Sequence, residues 1–466
     1  MHPIMAADLD HLPAVLEAAR RSAERILAGL DERPAAHTTS STGPHRALPE
    51  DGSGAQHALE QFLRRWEPGF SGSAGPRFLG FVTGGTTPAA LVGDWLTGTL
   101  DQNVHAAAGS SAAELERETV GWLRELFGLD AGHSGAFVSG ATMSNFVRLA
   151  IGREWLGEQA GVSVNQDGAA ALGPIHVLSG TPHSSTYKAL SMLGIGRNHL
   201  NTVPCLPGRE AVDVEALERA LTELDGRPAI VVANAGTVNT TDFDDLRALT
   251  ALRERHPFWL HVDAAFGGFA ALSPEHAPLV DGLNEADSLC IDLHKWLNVP
   301  YDSAIQFTRH RTLQTSVFGN WAAYLGTPAD GTDFSQLTPE NSRRLRALAA
   351  WFSLTAYGRV GHRTIVETNT ALARRLADRI SHTPGLRLLA PVRLNVVCFT
   401  LADNPTMDQL NALARTLTEA GEAFLTPTVY AGVPALRAAF SNWRTSLADA
   451  DRVYDAVVEA SGLTPN

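Results

Sequence analysis

Cysteine is scarce: three occur in 466 residues, Cys205, Cys290 and Cys398. They stand too far apart for a CxxC redox or metal pair, and they do not make a disulfide framework. No apolar run approaches the ~20 residues of a membrane span. Positive charge is in deficit, with 37 Lys+Arg against 50 Asp+Glu and a net charge of −13. Such a chain has no electrostatic reason to sit on a phosphate backbone or an anionic membrane. Met1–Met5 lack the basic and apolar segments of a secretory signal. There is no internal repeat. No GxGxxG follows the first expected strand, which disfavours a dinucleotide-dependent oxidoreductase. These absences point to a cytoplasmic protein with no metal site and no nucleic-acid or membrane partner.

The remaining composition is that of a folded globular chain. Apolar residues make up 44% and charged residues 19%, which excludes wholesale disorder and fibrous repeats. The 41 Gly and 25 Pro imply many turns, which suits an α/β protein better than a helical bundle. The length suggests roughly two to four domains.

Residues 8–33 carry apolar positions at helical spacing, with Pro13 in the first turn. A polar, Gly- and Pro-rich stretch from 35 to 54 reads as an extended arm, and a short helix follows at 55–66. Such an arm has no core of its own and must pack on something, often a partner chain. Short apolar runs at 136–139, 175–179, 229–233, 259–262, 288–291 and 304–307 alternate with helical patterns, among them 141–157, 214–224 and 246–255. That alternation predicts parallel crossovers and a sheet covered on both faces. Helices are expected at 341–357 and 364–381. Strands at 386–389 and 395–400 and helices at 407–420 and 447–460 then describe a smaller α+β unit. The expected division is an arm over 1–75, a large domain over 76–355 and a small domain over 356–466.

Four segments place chemistry-bearing residues at the ends of expected strands, where open α/β sheets gather ligands. Ser139–Asn145 runs into a helix, so its backbone N–H groups and hydroxyls suit an anion or serve as ordinary capping. His183 follows the strand at 175–179, either as a loop histidine or stacked on an aromatic ligand. Asp263 ends the strand at 259–262, where burial is costly without a partner such as a protonated ring nitrogen; a helix cap is the other reading. Lys295 follows the strand at 288–291 beside His294. Desolvation there is expected to lower its pKa and suit it to Schiff-base chemistry, against the alternative of a surface lysine.

Their order and joint spacing carry more than any one alone. Asp263 follows His183 by 80 residues and Lys295 follows Asp263 by 32. With the segments PRFLGFVTGGTTPAALVGDWL, SGATMSNFVRLA, TPHSSTYKAL, ANAGTVNTTDFDDL, WLHVDAAFGG and SLCIDLHKWLNVPYDSA, the chain resembles the pyridoxal-phosphate-dependent group II amino-acid decarboxylases, from about residue 60 onward. The resemblance implies a fold type I large domain with a mainly parallel sheet, pyridoxal 5'-phosphate as cofactor, an amino-acid substrate and a homodimer with shared active sites. It implies Lys295 as the Schiff-base lysine, Asp263 at the pyridine nitrogen, His183 and Ala265 on the two ring faces, and Ala141 and Thr142 at the phosphate with help from His294. Thr237 or Asn239 would border the ring, and Asp244 would orient neighbouring groups.

The family places a tyrosine on a mobile loop to return a proton to Cα. Here the loop candidate is 315–339 and the tyrosine is Tyr324, 29 residues after Lys295. Relatives with Phe there form aldehydes, so Tyr324 favours simple decarboxylation, with oxidative deamination or aldol-type cleavage as the alternative. Asp292 stands where the aromatic-amino-acid branch has Asn, an acid near the phosphate that needs a compensating donor. Val238 replaces a Thr of that branch, and Phe81–Gly85 replaces a more aromatic stretch, so aromatic specificity does not transfer. Arg444 is read as a structural ion pair, with a substrate carboxylate as the other possibility.

Overall fold

The structure, a computed structural model, describes residues 1–37, 47–104, 109–320 and 333–463. Seven strands form the main sheet: β1 Ser134–Val138, β2 Val177–Ser179, β3 Leu200–Thr202, β4 Ala229–Asn234, β5 Phe258–Asp263, β6 Ser288–Asp292 and β7 Ala304–Thr308, in the order β1-β7-β6-β5-β4-β2-β3. Only β7 runs antiparallel to its neighbours. The residues of β4, β5, β6 and β7 are buried throughout, as expected where helices cover both faces. One face, with Leu260, Val262, Leu289 and Ile291, packs in a core shared with the helices Ala112–Leu126 and Leu246–Leu252. The other, with Val138, Val177, Ile230 and Trp259, packs with the helices Ala141–Ala160 and Ser184–Met192. The strand β3 was not foreseen; it is three residues long, with Asn201 and Thr202 exposed.

A second, antiparallel sheet has the order β10-β11-β9-β8, from β8 Leu386–Leu388, β9 Val396–Leu401, β10 Thr426–Tyr430 and β11 Val433–Ala439. The helices Met407–Ala420 and Leu447–Ala460 cover it, each opened by a capping box, Thr406 with Gln409 and Ser446 with Asp449. Residues 77–81 run beside this sheet. The Leu79 amide donates to Phe424 and its carbonyl accepts from Ala439, and its side chain lies in the same core.

The expected helix at 8–33 is two helices, Pro3–Asp10 and Leu12–Ala28, joined at His11. Pro13 explains the break: without an N–H it sits only in a first turn. Between them these helices bury Ser22 alone, while Met5, Leu9, Leu12 and Leu16 are exposed. The expected helices at 341–357 and 364–381 are one run, Ala347–Ser381, broken at Gly358 (φ 57°, ψ −171°). The described ends of the loop candidate 315–339 are packed. The helix Arg311–Phe318 reaches into it, and Phe334, Gln336, Leu337 and Thr338 are buried. Tyr324 lies outside the described residues. No helix among the described residues is long and apolar enough to cross a membrane.

Candidate active site

A cavity of about 260 Å³ opens at the carboxyl edge of the main sheet, lined among others by Ala141, His183, Thr237, Asp263, Ala265, His294 and Lys295. The fold gathers these from the ends of β1, β2, β4, β5 and β6 and from the turns that follow them. Thr142, one residue into its helix, and Asp244 do not line it. Asp244 accepts from the backbone amides of Val212 and Asn234, both at 2.7 Å. Burial pushes its carboxyl up to about 6. It thereby braces the strand end that carries Asn234, itself a lining residue.

Asp263 closes β5 and is buried. Its Oδ2 accepts from Asn145 Nδ2 at 3.0 Å and its Oδ1 from the Ala265 amide at 3.2 Å. Burial raises its pKa, but His183, the Asn145 amide and Lys295 together outweigh burial, and the carboxyl sits below its ordinary value. His183 caps the helix Ser184–Met192, its Nδ1 accepting from the Ser185 amide at 3.2 Å. It is a loop histidine bonded to backbone, and it also lines the cavity. Burial holds its pKa down, so the imidazole is neutral.

Lys295 departs from expectation. It sits on the one-turn helix Leu293–Trp296 after β6, and Nζ lies 2.7 Å from Asp292 Oδ2. Burial does push its pKa down, but the Asp292 charge and hydrogen bond, with Asp263 behind them, push it up further, and the net shift is upward. A desolvated lysine becomes a weaker base only when no carboxylate shares its site. Asp292 has the compensating donors its position demands: Lys295 at Oδ2 and the Ala141 amide at 2.6 Å to Oδ1; His294 Nε2 stands 3.7 Å from Oδ1, beyond hydrogen-bond reach. The helix start at 140–142 is thus engaged by a carboxylate.

Thr237 gives its hydroxyl to Glu210 Oε2 at 2.5 Å. Asn239 bonds Glu210 and the Val429 carbonyl and does not line the cavity. Arg444 lies 4.0 Å from Asp31 and over the Trp443 ring, away from the cavity.

The arginine that does reach the cavity is Arg437 on β11. Its neighbours Leu436 and Ala438 face the small-domain core, so the pleat turns Arg437 the other way. It donates to the Phe81 carbonyl at 2.8 Å, and burial pulls its pKa down to about 10. Sequence reading missed it because the hairpin was missed. Ala431 and Gly432 both take positive φ, the pattern of a two-residue hairpin turn, but Ala is not a residue that announces one. The alternation Val433–Ala439 was the available signal.

The donor set fits pyridoxal phosphate. An amine, a carboxylate for a protonated ring nitrogen, a flat imidazole and a small residue, Ala265, border one cavity beside a helix start. Gly84 shapes it as well, since a Cβ there would lie 1.6 Å from the Lys295 carbonyl oxygen.

Comparison with known proteins agrees. The model of the family described as "Pyridoxal-dependent decarboxylase conserved domain" matches residues 40–402. An aromatic-L-amino-acid decarboxylase of Bacillus atrophaeus is 28% identical, over 86% of this chain and 84% of that one. An L-2,4-diaminobutyrate decarboxylase of Acinetobacter baumannii is 26% identical, over 89% and 88%. The crystal structure of Oryza sativa TDC with PLP and tryptamine shares the fold with a TM-score of 0.91, at 21% identity and full coverage of both chains. The chain belongs to the pyridoxal-dependent decarboxylase family and is a pyridoxal-phosphate-dependent amino-acid carboxy-lyase.

Proposed function

We propose that the chain converts an L-amino acid to its amine and carbon dioxide with Lys295 as the cofactor-bearing lysine, Asp263 at the ring nitrogen, and His183 and Ala265 on the two ring faces. Ala141, Thr142 and His294 serve the phosphate end, and Thr237 and Asp244 support the wall. The observation that carries this reading is the meeting of Lys295, Asp263 and His183 around one cavity. When bound, pyridoxal phosphate supplies delocalisation for the electron pair left as the bond from Cα to the carboxylate breaks. Asp263, kept ionised, holds a proton on the ring nitrogen. His183, kept neutral, offers a flat face without repelling a cation. Asp292 holds the Lys295 proton until the cofactor arrives. Arg437 is the buried cation placed to receive a substrate carboxylate. Tyr324 is the proposed donor of the proton to Cα, a role resting on the family resemblance.

The working unit is proposed to be a cytoplasmic homodimer. Its supports are the exposed Val92, Trp95, Leu96 and Leu100 on the helix Pro88–Leu100 and the coreless N-terminal helices. The division into an arm to residue 75, a cofactor domain to 355 and a small domain beyond it is part of the same reading.

The test is a screen of the cofactor-loaded protein against single amino acids, with carbon dioxide, amine and aldehyde all quantified. Carbon dioxide and amine in equal amounts are expected, and Lys295→Ala is expected to lose both the visible absorbance and turnover. Aldehyde in place of amine, or an active Lys295→Ala, would overturn the assignment.

A further inference from the structure

A chain of buried polar side chains crosses the layer between the main sheet and the helix Ala141–Ala160, and it ends on Asp263. Trp259 Nε1 lies 2.9 Å from Ser288 Oγ, and Ser288 Oγ lies 3.0 Å from His261 Nδ1. His261 Nε2 lies 2.9 Å from Asn145 Oδ1. Asn145 Nδ2 reaches Asp263 Oδ2 at 3.0 Å and Ser185 Oγ at 3.1 Å. Trp259, His261, Ser288 and Asn145 are all 0% exposed.

The proton order in this chain follows from what each group can do. An ionised Asp263 only accepts, so Asn145 must turn its NH₂ toward it. The second amide hydrogen goes to Ser185, and the Asn145 oxygen faces His261, which must therefore carry its proton on Nε2. The imidazole is neutral: burial, the largest influence, and the Arg148 guanidinium outweigh the opposing pull of Asp263 and hold it near 4. Its Nδ1 lone pair takes the Ser288 hydroxyl hydrogen, and the Ser288 oxygen is left to accept from Trp259, which can only donate. The second branch obeys the same logic. Ser185 Oγ lies 2.8 Å from His183 Nδ1, which already accepts the Ser185 amide. Ser185 therefore donates there, and His183 keeps its proton on Nε2. Each group is satisfied in one direction only.

We propose that Asn145 is a positioning residue for Asp263 and His183 together, and that His261 sets its orientation. One amide then fixes both the charge of the carboxylate assigned to the ring nitrogen and the tautomer of the imidazole assigned to the ring face. An inverted amide would press two oxygens together in a buried site and leave His261 Nε2–H facing another donor. The inference rests on the roles given above to Asp263 and His183.

Two measurements on the full-length protein test it. Solid-state NMR of uniformly ¹³C,¹⁵N-labelled protein at pH 7, with the His261 and His183 rings assigned by correlation to their own backbone signals, is expected to show a bare Nδ1 and a protonated Nε2 at both residues. A proton on Nδ1 of His261, or on both of its nitrogens, would overturn the proposal even if no variant folds. Titration with pyridoxal phosphate then compares His261→Gln, which keeps an N–H donor near the Nε2 position, with His261→Leu, which fills the space without one. Binding is expected within about threefold of wild type for Gln and about tenfold weaker for Leu. Wild-type affinity in His261→Leu, or equal weakening in both variants, would refute the role. Asp263→Asn separates the two levels: if it binds like wild type, the reading of Asp263 fails and the proposal with it. If it is weakened while His261→Leu is not, the proposal fails alone.

Discussion

At the scale of single residues, the decisive contact is the pair between Lys295 and Asp292. A lysine must lose its proton before it can act as a nucleophile, and this carboxylate raises the pKa it must cross. Asp292→Asn is therefore expected to speed the appearance of the cofactor's visible absorbance at pH 7 by about threefold or more. It should also shift the pH dependence of that rate downward. A stopped-flow pH series checks this; an unchanged profile would mean that Asp292 does not hold the proton. Arg437→Met removes a buried cation from the cavity wall without touching Lys295. Loss of a charge-assisted hydrogen bond corresponds to roughly 1.5–3 kcal/mol, so KM should rise by about tenfold or more with the cofactor absorbance intact. Steady-state kinetics on the identified substrate decide it.

At the scale of elements, two glycines are placed where no other residue fits. Gly358 interrupts the run Ala347–Ser381 with φ 57° and ψ −171°, a region other residues essentially do not enter. Gly358→Ala is expected to cost about 1–3 kcal/mol, read as a lowered melting temperature with the cofactor absorbance retained. Gly84 donates its amide to the His294 carbonyl at 3.3 Å and leaves no space for a Cβ against Lys295. Gly84→Ala is therefore expected to displace the one-turn helix Leu293–Trp296 and lose cofactor binding in a protein that stays folded, as judged by absorbance beside circular dichroism. The segment from 77 to 87 is bonded to β11 through Leu79 and to the stretch after β6 through Gly84 and Thr87.

At the scale of the whole molecule, buried histidines set the acid limit. Burial holds His133, His261 and His362 at about 4, against about 6.5 in the unfolded chain. The unfolded state thus binds more protons below pH 6.5. The stability these groups contribute is complete above that pH and is lost as pH falls toward 4. Asp244, raised to about 6, works in the opposite sense but is one group against three. The melting temperature is expected to fall steadily from pH 6.5 to 4, and His362→Leu, away from the site, should make that fall shallower. A flat melting profile over this range would contradict the assignment.

The apolar runs of β4 to β7 were legible in the sequence because a strand buried on both faces leaves a continuous signature, and the candidate site followed because Asp263 ends one such strand and Lys295 lies in the turn after another. The hairpin of β10 and β11 was not legible: its turn is Ala-Gly and prolines enter both strands, so local propensity argued against it. Arg437 was lost with it. Sequence by itself determined the layered α/β architecture and the cofactor class, since local periodicity and a few specific motifs carry that information. Only the tertiary structure decided which charges face one another. The contacts of Asn145 with Asp263 and His261 and the arrival of Arg437 join residues distant in the chain, while Asp292, only three residues from Lys295, raises its pKa because the turn after β6 sets the two side chains against each other; electrostatics answers to distance in space rather than distance in sequence.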